Sequence, residues 1–148
     1  MRLPSIAAAA AQIKAKSFTI DGEAVVLGPD GLSRFEELRR RYAAHTAILY
    51  AFDLIEHDGE DMRNLPFLDR KAALARLLRD IRAGILLNKH VAEDGPTVFE
   101  HACRLGAEGI ASKKVDGTYR SGRCGVWMKV RNPASVAVQR ERSENWNR

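Results

Sequence analysis

Asp21 and Glu23 lie two residues apart in Ser17 to Gly28, a run rich in β-formers. On a strand, positions i and i+2 project from one face. A carboxylate pair in a site can hold Mg²⁺ or accept hydrogen bonds from ribose hydroxyls, and Gly22 between them lets another backbone or a ligand come close. The plain alternative is a solvated sheet edge. Phe52 shares a predicted strand face with Tyr50 and Leu54, with Asp53 on the other face. It is either core or a flat platform for a purine base. Glu108 stands where a helix stops and a strand opens, an ordinary place for an exposed acid. Further on, Trp127, Lys129 and Arg131 alternate with Met128 and Val130, so an indole and two cations share a face. Like charges at i, i+2 repel, and an anion between them is a natural reason for the pair. A basic edge that discourages aggregation is the other reading.

The elements that must carry these residues follow from local pattern. Alanine content predicts a helix from Pro4 to Ile13. "GPDG" at Gly28 to Gly31 is a turn after the first strand, and Ser33 with Glu36 is spaced as a capping box for a helix over "RFEELRRRY". Ala47 to Glu56 reads as a strand closed by an Asp58-Gly59 hairpin turn. Pro66 suits the first turn of a helix reaching about Ile81, with Leu74, Leu77, Leu78 and Ile81 on one apolar face. "GILLNKHV" is a strand, "DGPTVFEHACRLG" a helix closed by Gly106, and "EGIASKKV" and "GVWMKVRNP" are the last two strands. The sum is an α+β fold with mostly antiparallel sheets flanked by helices.

The bulk numbers agree. A chain of 148 residues with 45% hydrophobic and 29% charged residues has the balance of one globular domain. A net charge of +5 favours polyanionic partners such as nucleic acid or nucleotides. Cys103 and Cys124 have neither Cys-x-x-Cys spacing nor a nearby histidine pair, which argues against a disulfide framework or a zinc site. No apolar run approaches the ~20 residues that span a bilayer, and the alanine-rich start lacks a secretory core. No membrane partner is expected, and the expected location is the cytoplasm.

Taken in order, "FTIDGEAVV", "LYAFDLIEHDGEDMRNLPFLDRK", "EGIASKKVDGTYRSGR" and "VWMKVRNP" resemble the successive nucleotidyltransferase motifs of bacterial ATP-dependent DNA ligases of the end-joining type. The resemblance runs from about Ser17 to the end and implies an adenylation domain, incomplete and ATP-grasp-like. It implies ATP and Mg²⁺ as cofactors, nicked double-stranded DNA as partner, and a part in DNA repair and recombination. On matching positions, Glu23 is the ribose contact that helps organise metal, and Phe52 the aromatic stacked on adenine. Glu108 positions a divalent cation, and Lys129 and Arg131 hold the nucleotide phosphates. Arg120 and Arg123 are phosphate contacts for nucleotide or DNA.

In that family a lysine in Lys-x-Asp-Gly attacks the α-phosphate of ATP. The AMP then passes to the 5′-phosphate of a nick, and the 3′-hydroxyl displaces it. The motif lies several tens of residues before "DGE", with an arginine five residues after the lysine. Here only 20 residues precede Asp21, and their Lys14 and Lys16 do not form it. The string does occur at Lys114, but after the glutamate block, and position 119 is tyrosine. Short strings recur by chance, and Lys114 is not read as the nucleophile. The family's ribose-binding arginine is missing as well.

The expectation is a partial adenylation domain over 1–133 and a charged tail over 134–148, with no oligonucleotide-binding barrel. Such a chain assigns no catalytic residue of its own and would not self-adenylate. Missing first strands would leave sheet edges unpaired and favour self-association. The alternatives are a non-catalytic remnant that binds nucleotide or nicked DNA, or a piece completed in trans by an N-terminal ligase fragment. End-joining proteins are further possible partners.

Overall fold

The structure is a computed structural model that describes residues 3–40, 43–122, 125, 127–135 and 138–139. Arg123 and all but two residues of the expected tail beyond Ser135 lie outside the described residues. The fold is α+β.

Strand β2 (Ile48–His57) is the axis of the larger sheet. Strand β1 (Phe18–Val25) and the two-residue β3 (Glu60–Asp61) pair with it antiparallel, and β4 (Ile85–Leu87) pairs with it in parallel. Asp58 and Gly59, at φ 51° and 86°, turn β2 into β3. Two successive positive φ values are what a tight hairpin turn requires, and Asp-Gly supplies them at low cost.

Helix α1 (Pro4–Ala10) begins on a proline, and α2 (Phe67–Leu77) follows Pro66 at its N-cap. The helix ends at Leu77 rather than near Ile81, yet the predicted apolar positions still meet the core. Leu74 and Leu78 are buried in one core with Ala9, Ile13, Ala51, Leu54, Met62 and Ile85, and Leu77 and Ile81 pack against it. Burying a leucine contributes on the order of 1.5–3 kcal/mol.

One predicted helix is corrected. After Gly31 the chain makes only a 3-10 turn, Phe35–Arg39, with Arg34 at its N-cap and no side-chain cap. Ser33 instead bridges Leu27, and the Arg34 N–H donates to the Val26 carbonyl at 2.8 Å. The backbone ahead of the turn is committed to closing that hairpin, so Ser33 cannot serve as a cap.

The chain divides into two units, each described here by itself. Unit 1 comprises 1–89 and 115–120, and unit 2 comprises 90–114 and 121–148. In unit 2, helix α3 (Gly95–Arg104) is capped by Asp94, whose carboxylate accepts the Thr97 N–H at 3.1 Å. Gly106, at φ 80°, ends it as expected. Strands β5 (Gly109–Lys113) and β6 (Trp127–Arg131) form an antiparallel pair on which α3 packs through β5. Among the described residues no helix is long and apolar enough to cross a membrane.

Candidate nucleotide site

In unit 1 the register across β1 and β2 decides what each side chain can do. Gly22 pairs with Ala51 and Asp21 with Asp53, so Phe52 is the extra residue of a β-bulge. A second irregularity skips Ile55. A bulge re-aims the side chain at the extra position and inverts the alternation beyond it. This corrects the expected shared face of Tyr50, Phe52 and Leu54. Leu54 is fully buried in the same core as Ala51, whereas Tyr50 and Phe52 stay half-buried. Glu23, directly across from Tyr50, is exposed beside the bulge. The close approach that Gly22 permits is made by backbone, the Tyr50 carbonyl.

The two carboxylates of β1 have different surroundings. Glu23 faces solvent, while half-buried Asp21 accepts the Tyr119 hydroxyl at 2.7 Å. Burial of the phenol, and then its bond to Asp21, push the Tyr119 pKa up to about 12, so it remains a donor at any physiological pH. Beneath this pair lies Arg70, fully buried, with Nε 2.7 Å from Asp53 Oδ1 and Nη2 3.0 Å from Oδ2. Its Nη1 donates to the Gly117 and Leu65 carbonyls. A planar guanidinium can bind a carboxylate with one edge and fix backbone with the other. Arg120, next to Tyr119, is exposed.

Unit 2 gathers a second set. Lys129 lies opposite Ala111, Arg131 opposite Gly109 and Trp127 opposite Lys113. Directly opposed residues share a face, so Lys113 joins Lys129, Arg131 and Trp127, with its Nζ 4.3 Å from the indole centroid. Glu108 is exposed immediately before β5, and its carbonyl accepts the Asn132 N–H at 2.7 Å just past β6. One acid and three cations therefore sit on one short hairpin. The apolar side expected for Met128 is not buried; Met128 is 62% exposed. Lys114 is exposed and directly follows β5.

Three residues of these networks were not singled out by sequence. Lys113 becomes visible only once the β5–β6 register is known. Arg70 lies on the core side of α2 among leucines, and an arginine there is itself a signal, since a buried cation needs a buried partner. Tyr119 had no local signal, because its partner is 98 positions away.

Unit 1 thus sets an aromatic in a bulge beside an exposed acid on a mixed sheet, and unit 2 carries a basic strand pair. The model of the ATP-dependent DNA ligase domain matches residues 2–131, and the chain belongs to that family. It is 35% identical to a probable DNA ligase of Streptomyces griseus, over 88% of this chain and 29% of that protein. To the multifunctional non-homologous end joining protein LigD of Pseudomonas aeruginosa it is 36% identical, over 88% of this chain and 16% of the relative. The crystal structure of the ligase domain from M. tuberculosis LigD matches with a TM-score of 0.67 at 30% identity, covering 77% of this chain and 37% of that one. A mycobacterial DNA ligase D complexed with ATP and MES matches equally well. The chain thus spans less than a third of the length of these curated relatives.

Proposed function

We propose that this chain carries the nucleotide- and phosphate-binding part of an ATP-dependent DNA ligase. In this reading Phe52 stacks on adenine and Glu23 receives the ribose. Lys129 and Arg131 hold the nucleotide phosphates, and Arg120 and Arg123 contact phosphate of nucleotide or nicked DNA. The bulge at Phe52 carries the reading: it sets a half-buried aromatic beside an exposed acid on the β1–β2 pair.

Among the described residues no three His, Cys, Asp or Glu side chains converge. Mg²⁺ as nucleotide enzymes use it is held by one or two carboxylates together with substrate phosphates. Glu23 in unit 1 and Glu108 in unit 2 are, each by itself, carboxylates that would meet a divalent cation carried by the nucleotide, which would neutralise charge on the phosphates. The chain's own groups bind and orient: Glu23 and Phe52 the nucleoside, and the β5–β6 cations the phosphates, whose developing charge they stabilise.

Between Met1 and Glu23 the lysines are Lys14 and Lys16, and neither stands in a Lys-x-Asp-Gly string. Lys14 is an exposed side chain 3.9 Å from Asp80, and Lys114 follows the glutamate block. The chain by itself is therefore proposed to bind ATP without forming lysyl-AMP, and to work in the cytoplasm on DNA ends with partners of the end-joining type.

The test is incubation with Mg²⁺ and labelled ATP, scored for covalent AMP under conditions that preserve a phosphoramidate and, separately, for binding at equilibrium. The expected result is saturable binding without an adduct, weakened about fivefold or more in Phe52→Ala, as loss of a stacking platform worth ~1–3 kcal/mol requires. Binding that Phe52→Ala leaves unchanged would overturn the adenine assignment. An adduct would overturn the inability to self-adenylate and make Lys114 the first lysine to replace.

A further inference from the structure

Six residues that sequence places between β5 and β6 belong to unit 1, although the chain on either side of them belongs to unit 2. Val115–Arg120 contains no helix or strand, so its place depends on individual bonds. There are four. The Leu68 N–H donates to the Val115 carbonyl at 3.1 Å, and the Tyr119 N–H to the Arg63 carbonyl at 2.8 Å. Arg70 Nη1 donates to the Gly117 carbonyl at 2.9 Å, and the Tyr119 hydroxyl to Asp21 at 2.7 Å. Gly117 is buried and Tyr119 half-buried, while Arg120 is exposed.

We infer that Arg70 and Tyr119 are positioning residues that pin Val115–Arg120 to unit 1 and so fix where Arg120 meets a nucleic-acid phosphate. This rests on the reading of Arg120 as a phosphate contact. Arg70 is suited to the role because Asp53 neutralises it and orients its plane, leaving Nη1 aimed at backbone. Its Cζ also lies 5.9 Å from the Tyr119 ring centroid, so the two pinning side chains brace one another. Asp21 completes the arrangement from β1. An exposed arginine on a free loop loses rotamer and backbone freedom when it binds a phosphate, and a pinned one has lost much of it beforehand.

Tyr119→Phe is the informative change, since it removes the hydroxyl and keeps the ring. Two readouts on the ¹⁵N-labelled chain separate the possibilities. The first is amide exchange without DNA. Leu68 and Tyr119 should exchange roughly three- to tenfold faster in Tyr119→Phe, as loss of one hydrogen bond implies, with the β1–β2 ladder unchanged. Unchanged exchange at both amides, or an equal rise throughout unit 1, would overturn the pinning. The second is binding of a nicked, 5′-phosphorylated duplex across a salt series. Arg120→Gln should weaken binding and lower the salt slope by about one. Tyr119→Phe should weaken it too, and the double variant should bind like Arg120→Gln alone, because the two changes act through one contact. If Arg120→Gln weakens binding while Tyr119→Phe does nothing or adds independently, the positioning role is wrong. If Arg120→Gln binds as the parent does, or the parent binds no duplex, the phosphate reading fails and takes the functional half of the inference with it.

Discussion

Gly22 and Tyr50 meet backbone to side-chain position: a methyl group on Gly22 would lie 2.6 Å from the Tyr50 carbonyl oxygen and 3.0 Å from the Leu49 side chain. The carbonyl is part of β2 and cannot swing aside. Gly22→Ala must therefore push β1 off β2 between Asp21 and Glu23. Overpacking of this kind costs about 1–3 kcal/mol, and it moves both carboxylates. Urea unfolding should show that loss together with weaker ATP binding. Parent-like values for both would mean that the strands part here at no cost.

Asp53 and Arg70 form a buried pair, and removing one partner strands the other. Arg70→Met is expected to cost about 3–5 kcal/mol, a large share of the 5–15 kcal/mol typical of a domain. The double variant Asp53→Leu/Arg70→Met should be less destabilised than Arg70→Met alone, because no buried charge is left over. Denaturation midpoints decide this. A double variant no more stable than Arg70→Met would show that the stranded Asp53 carboxylate is not the source of the cost.

Tyr119 gives a pH dependence with a definite sign. Its folded pKa, raised to about 12 from 10.0 by burial and by Asp21, means the folded chain keeps the proton longer than the unfolded chain does. The stability from this group is complete below pH ~10 and is lost as pH rises through about 12. Unfolding of the parent and of Tyr119→Phe should be compared from pH 8 upward. The gap in stability between them should hold steady to pH ~10 and then shrink. A constant gap would show that the phenol is not protected.

Gly109 pairs with Arg131, and a methyl group there would collide with the Val130 carbonyl and come within 3.0 Å of the Arg131 Cα. Gly109→Ala should open the β5–β6 pair. Amide exchange along that ladder should rise while the β1–β2 ladder stays protected, and ATP binding should weaken if Lys129 and Arg131 hold phosphate. Unchanged exchange in β5 and β6 would contradict the geometry.

Much of the fold was legible because its signals are local. Pro66 and the leucines of α2 lie within one helix, and Asp58-Gly59 encodes its own turn. The α+β class followed from such pieces. What escaped depends on pairing across the chain. The bulge at Phe52 is a property of two strands in register, and no spacing within β2 announces that Leu54 will turn toward Ala51's core. Lys113 joins the cations only through β6. Ser33 and Glu36 have capping-box spacing, yet Val26 and Leu27 claim that backbone first. At the candidate site, motif order named residues to test, whereas the bonds of Arg70 to Gly117 and of Tyr119 to Asp21 exist only in the fold.

The discontinuity of unit 1 also sets an order of events during synthesis. Its first 89 residues reach the ribosome's exit well before Val115–Arg120 do. At ~5–20 residues per second, the intervening stretch of roughly thirty residues takes ~2–6 s to make. Through that interval Arg70 and Asp53 can find each other, but the Gly117 carbonyl does not yet exist. Nor does Asp21 have its phenol. The nascent chain must therefore wait with its guanidinium short of one acceptor, and it completes its first unit only after residues 90–114 of the second have been translated.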